Sequence, residues 1–197
     1  MQLISPHSRN QLKQILLECY FSDSKENWRK LVDKTYFDQV AESILKESPA
    51  NYEAEIIALK DSMDNDMFDE ELFIRSAAFR KQITEVYSNT CCISGLRIES
   101  SDEISLIDAC HIIPFSQSHN DTVSNGLALS PTLHRAFDRH LIGIDENYRV
   151  VVSPQLVELS DSPYSIKNFE GKHILLPSDK THYPAQENLY NHLKLMV

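Results

Sequence analysis

In the first half of the chain, apolar residues recur at intervals of three and four. In NQLKQILLECYF, Leu12, Ile15, Leu16 and Tyr20 share one helical face, with Ser8 and Asn10 before it as caps. The same period runs through ENWRKLVDKTYFDQVAESIL at Trp28, Leu31 and Val32, then at Phe37, Val40 and Ile44. A third helix, NYEAEIIALKDSM, follows the turn signal ESPAN. The acidic run DNDMFDEE reads as a helix start or a solvated linker, the linker preferred, leading into a helix around FIRSAAFRKQITEVY.

The pattern changes after Tyr87. CCISGLRI and SDEISLIDACHI read as short strands separated by a polar turn at Glu99–Glu103, and a loop with Pro114, Ser116, Asn120 and Asp121 follows. Asn125 opens a tight NG turn, and Ser130 with Pro131 marks a helix start. LIGIDENYRVVVS is a hairpin turning at Asp145–Asn147. The order expected is helices, strand, strand, long loop, helix and hairpin, an α+β arrangement.

Composition bounds what such a chain does. With 42% hydrophobic residues over 197 positions, it can bury one good-sized core. A net charge of -10 excludes nucleic-acid binding through bulk positive charge and leaves only a local basic patch. Charge is not segregated: residues 1–75 carry 9 basic and 15 acidic side chains, and the rest carry 10 and 14. Cys19, Cys91, Cys92 and Cys110 form neither a disulfide framework nor the paired CxxC of a zinc ribbon. No leader-like or membrane-length apolar run is visible, so a reducing cytoplasm and no membrane partner are expected.

The chemistry lies in His111, Asn125, His134 and Asp138, separated by 14, 9 and 4 positions. His134 and Asp138 stand one turn apart on the expected helix, where nitrogen and carboxylate can ligate Mg²⁺, Mn²⁺ or Zn²⁺ together. His111, at the end of the preceding strand, is then free to take a proton from water attacking a phosphodiester. Asn125 would hold the loop backbone and keep the imidazole oriented. Arg75, Arg80, Lys81, Arg135 and Arg139 are candidate phosphate contacts. The last two share a helix face beside the presumed ligands. The bland reading, a packed imidazole with no task, holds for His111 alone and weakens once the other three stand in register.

These residues carry a resemblance. AxHIxP followed by NGLxLSPxLHxxFDxxLI is similar to the HNH endonuclease family with its ββα-metal fold. Phe79, Arg80, Tyr87, Cys91, Ser94 and Gly95, and the tail GKHILLP…LYNHL, resemble its restriction-like branch. The resemblance covers roughly residues 75–197 and says little about 1–74. The helical patterns over 1–74 are expected to form an N-terminal region for dimerisation or for target or partner contact. An HNH domain with an extra β-hairpin would then fill 75–197. By the resemblance, His111 would be the general base, Asn125 its positioning residue, and His134 and Asp138 metal ligands; Arg80, Arg135 and Arg139, read from charge and position, are the expected DNA contacts. The cofactor implied is a divalent ion, Mg²⁺ or Mn²⁺ ahead of Ni²⁺ or Zn²⁺. Where many members have a ligand before the base, this chain has Cys110, a poor partner for Mg²⁺; whether Asp108 reaches the ion stays open.

Two functions follow. The first is a metal-dependent endonuclease acting on DNA in restriction or anti-phage defence, as a homodimer if two sites are to meet opposite strands. The alternative is a non-catalytic module that binds DNA or protein on the same scaffold.

Overall fold

The computed structural model describes residues 34–99, 105–159 and 162–196. Helix NQLKQILLECYF, the Trp28–Val32 part of the second helix, and Cys19 lie outside the described residues. The chain forms two compact units, Met1–Gln39 and Val40–Val197. Of the first, only residues 34–39 are described, as the start of a helix.

Three helices lead: α1 (Lys34–Lys46), α2 (Pro49–Ser62) and α3 (Asn65–Val86). The ESPAN segment is spent on starting α2. Ser48 accepts a hydrogen bond from the Asn51 amide, and Pro49 takes the first helical position, where its missing N–H costs nothing. The acidic run is helix rather than linker. Asp64 caps α3 by accepting from the Met67 amide at 2.9 Å, and Asp66 sits in the first turn, where the helix dipole favours negative charge. Glu71 turns inward to Arg75, one turn on, at 2.6 Å. Helix α3 therefore runs unbroken through positions 74 and 75, so the expected boundary between helical region and nuclease domain falls inside a helix.

The first strand, β1 (Asp108–His111), pairs antiparallel with β2 (Gly126–Leu129); His111 faces Gly126 and Cys110 faces Leu127. Between them lie a short helix, α4 (Phe115–Ser118), and a 3-10 turn at Val123–Asn125. Helix α5 (Pro131–Asp138) follows, then the hairpin β3 (Ile142–Ile144) and β4 (Val150–Val152), and finally α6 (Gln186–Leu193). This is α+β: helices, then a ββα unit with an added hairpin.

Two expectations change. CCISGLRI is a turn, not a strand: the amide of Cys91 bonds the carbonyl of Leu96, and Gly95 adopts φ +70. Cys92 docks onto the ribbon instead, its amide bonding the Ala128 carbonyl at 2.8 Å. The second strand lies after the loop, in GLAL, where burial of all four residues on both faces erases the alternation that would announce it. Asn125–Gly126 is likewise no hairpin turn, because Gly126 is extended at φ -128 and begins β2.

The ribbon is covered on both faces. Helix α3 lies against the face that carries His111 and Gly126, and α5 against the other. Gly126 exists for close approach: a Cβ there would collide with Ile83, whose Cγ1 lies at 2.8 Å, and press on Phe79. At the far end His192 of α6 stacks on Phe137 of α5, with centroids 3.7 Å apart, and its Nε2–H donates to the Phe137 carbonyl.

Two outcomes follow. Gly126→Ala overpacks the interface between α3 and the ribbon and should cost about 1–3 kcal/mol, read as a lowered melting temperature with the far-ultraviolet spectrum unchanged. Burial pushes the His192 imidazole down from 6.5 to about 4, against the raising effect of the Phe137 carbonyl. Between those values the unfolded chain takes up a proton that the folded one refuses. Stability should therefore fall as pH drops from 6.5 towards about 4. Denaturant titrations across that window should show a shallower slope in His192→Gln.

Candidate active site and metal-binding group

The end of β1 places consecutive residues in different surroundings, because neighbouring strand side chains project to opposite faces. His111 turns towards α3. Its ring stacks on Phe79 with centroids 3.9 Å apart and planes 9° off parallel, and Phe115 stands tilted at 6.3 Å. Its Nε2 lies 2.7 Å from Oδ1 of the buried Asp121, whose Oδ2 accepts from the Tyr52 hydroxyl at 3.2 Å. Burial first, then the neighbouring Asp121, raises the Tyr52 phenol well beyond its ordinary value, so it remains a donor.

Asn125 is fully buried and saturated. Its Oδ1 accepts from the Ile113 amide and from Asn188 of α6, both at 3.0 Å. Its Nδ2 donates to the carbonyls of Ile113 and Asn120, both at 2.9 Å. One amide thus ties the chain just after His111 to the loop before β2 and to the C-terminal helix.

Cys110 turns towards α5, where its Sγ, a nitrogen of His134 and a carboxylate oxygen of Asp138 lie within 4.8 Å of one another. His134 faces a carboxylate at each nitrogen, Asp108 Oδ2 at 3.2 Å from Nδ1 and Asp138 Oδ2 at 3.5 Å from Nε2. A neutral ring carries one N–H and can satisfy only one of them. With the N–H on Nδ1 and Asp108, the Nε2 lone pair faces Asp138, an opposition that a cation between them relieves. Asp108 stands on the Nδ1 side of His134 and is not part of the Cys110–His134–Asp138 group. The Cys110 thiol is fully buried and raised well above its ordinary value, by burial first and Asp138 next, so it is protonated unless a cation displaces the proton. Sulfur, nitrogen and oxygen together suit Mn²⁺, Ni²⁺ or Zn²⁺ better than Mg²⁺, which prefers an oxygen shell.

Among the arginines, Arg80, Arg135 and Arg139 are exposed, and Arg139 reaches back to the carbonyl of Arg135. Arg75 is not available to a phosphate. It is 2% exposed and held by Glu71 and Glu55, each at 2.6 Å, with its guanidinium over the Tyr52 ring. Asp121, Tyr52 and Asn188 were not among the residues singled out from sequence. Asp121 belongs to the loop expected after the strand, with Pro114, Ser116 and Asn120, but nothing in its spacing ties it to His111.

The model of the HNH endonuclease family matches residues 91–145, a segment that holds β1, β2, α5 and all four of His111, Asn125, His134 and Asp138. That segment, 55 of the 197 residues, is what the chain shares with the HNH endonuclease family. Among solved structures it is similar to a modification dependent TagI restriction endonuclease, at 22% identity and a TM-score of 0.44. That likeness covers 60% of this chain and 37% of the other, so this chain spans well under half of that protein's length. No curated protein matches it.

Asn125→Ala removes four hydrogen bonds at once and strands the buried groups they served. A loss of several kcal/mol is expected, at about 1–3 kcal/mol for each buried group left unpaired, measured as a fall in the denaturant midpoint.

Proposed function

We propose that this chain is a metal-dependent endonuclease that hydrolyses phosphodiester bonds in DNA. The observation that carries the reading is the pairing on consecutive residues of β1: a carboxylate-held imidazole at His111, and at Cys110 the edge of a Cys–His–Asp group. Base and Lewis acid are the two functions that phosphodiester hydrolysis needs, and they would meet at a strand end.

In this reading His111 accepts the proton of the attacking water at Nδ1 while Nε2–H stays on Asp121. Asn125 holds the loop that frames the base. His134 and Asp138, with Cys110, would hold the divalent ion, and Asp108 would keep the His134 ring turned. When bound, the ion stabilises the negative charge that develops on the phosphate and the leaving oxygen. Arg80, Arg135 and Arg139 supply phosphate contacts, which a chain of net charge -10 must concentrate locally. No helix of the described residues is long and apolar enough to cross a membrane. A part in restriction or defence is proposed from the family alone. Residues 1–74 we assign to dimerisation or partner contact, since they are acidic overall.

The test is cleavage of supercoiled plasmid with Mg²⁺, Mn²⁺, Ni²⁺, Zn²⁺ or EDTA. The parent should cut with a divalent ion and not with EDTA, and His111→Ala should lose on the order of 10²–10⁴ in rate. Equal cutting by the variant would remove His111 from the base role. In parallel, Mn²⁺ or Ni²⁺ at about 100 times its Kd should stabilise the fold by about 2.7 kcal/mol, and His134→Ala should abolish the shift. Neither cutting nor a metal-induced shift would leave the non-catalytic binding module.

A further inference from the structure

We infer that Asp121, braced by Tyr52, is the positioning residue that decides which nitrogen of His111 meets the substrate: Nε2–H is held in the protein, and Nδ1 is left to take the proton. The inference rests on the proposed nuclease reading of His111 and adds to it residues that lie outside the expected set.

The argument is one of hydrogen-bond stoichiometry. A carboxylate only accepts, so both groups touching Asp121 must donate to it. Tyr52 donates its hydroxyl to Oδ2, and the buried phenol has no other charge state in the working range. His111 must therefore present N–H at Nε2 to Oδ1, at 2.7 Å. A neutral imidazole with hydrogen on Nε2 carries its lone pair on Nδ1. Among the described residues, Nδ1 of His111 has no protein hydrogen-bond partner. Phe79, stacked beneath the ring, fixes its plane, so plane and rotation are both set. Exposure agrees: the His111 side chain is 23% exposed and that of Asp121 5%, so substrate can approach this cluster only on the histidine side.

The brace extends further. The Tyr52 ring lies under the Arg75 guanidinium, which Glu55 of α2 and Glu71 of α3 hold. A buried polar chain thus runs from helices α2 and α3, through Tyr52 and Asp121, to the ring of His111. Helix α2, outside the family-matched segment, thereby takes part in orienting the base.

The experiment uses the full chain with ring-¹⁵N histidine and reads the tautomer of His111 by long-range ¹⁵N–¹H correlation, with the resonance assigned through His111→Gln. Plasmid cleavage gives kcat and KM alongside. The parent should show the Nε2–H tautomer. In Asp121→Asn that preference should be lost and kcat should fall on the order of 10²–10⁴, as when the carboxylate behind a catalytic histidine is removed, with KM within about threefold. Tyr52→Phe, which keeps the ring, should lower kcat by about two- to tenfold. The Mn²⁺-induced thermal shift should persist in both, because Asp121 and Tyr52 touch no proposed ligand. An Nδ1–H tautomer in the parent overturns the inference, as does an unchanged tautomer and kcat in Asp121→Asn; the nuclease reading survives if His111→Ala is still inactive. A parent that cuts no DNA, with a tautomer still set by Asp121, overturns the nuclease reading and upholds the positioning. If Asp121→Asn does not fold, the tautomer and kcat of Tyr52→Phe decide.

Discussion

The structure depends on one short ribbon being buried on both faces. Strands β1 and β2 are four residues each, too short to stand alone, and they persist because α3 covers one side and α5 the other. Alternation along β1 then sends successive side chains into different layers. His111 enters the layer of Phe79, Tyr52 and Asp121, and Cys110 enters that of His134 and Asp138. The proposed base and the proposed cation-binding group are brought side by side because one strand serves two layers.

The two layers use the same device. Each holds an imidazole through one nitrogen by a carboxylate, His111 through Nε2 by Asp121 and His134 through Nδ1 by Asp108. The choice of nitrogen sets the task. A ring that keeps Nδ1 free and stands partly open can move a proton. A ring that keeps Nε2 free and faces Asp138 and a thiol can hold an ion.

Much of this could be read from sequence, and the exceptions have physical reasons. Helix α5 was legible because Ser130–Pro131 starts it and Leu133 and Phe137 give it an inner face; the hairpin was legible from its Asp145–Asn147 turn. Strand β2 was not, because burial on both sides removes the polar positions that reveal a strand's period. The acidic start of α3 read as linker because composition does not distinguish a solvated charge from a capping Asp64 or a paired Glu71. His111, Asn125, His134 and Asp138 were legible as a spaced set. Asp121 and Tyr52 were not, since a contact between positions 52, 111 and 121 is made by the fold and leaves no local pattern.

The bond between Asn188 and Asn125 carries the C-terminal helix into the centre of the molecule. Two positions 63 apart in the chain share one amide-to-amide contact inside a saturated cluster, so neither can change its donor and acceptor pattern alone. In mechanical terms they act as a rivet: changing the donor or acceptor at either position strands a buried group on the other and frees α6 from the loop before β2.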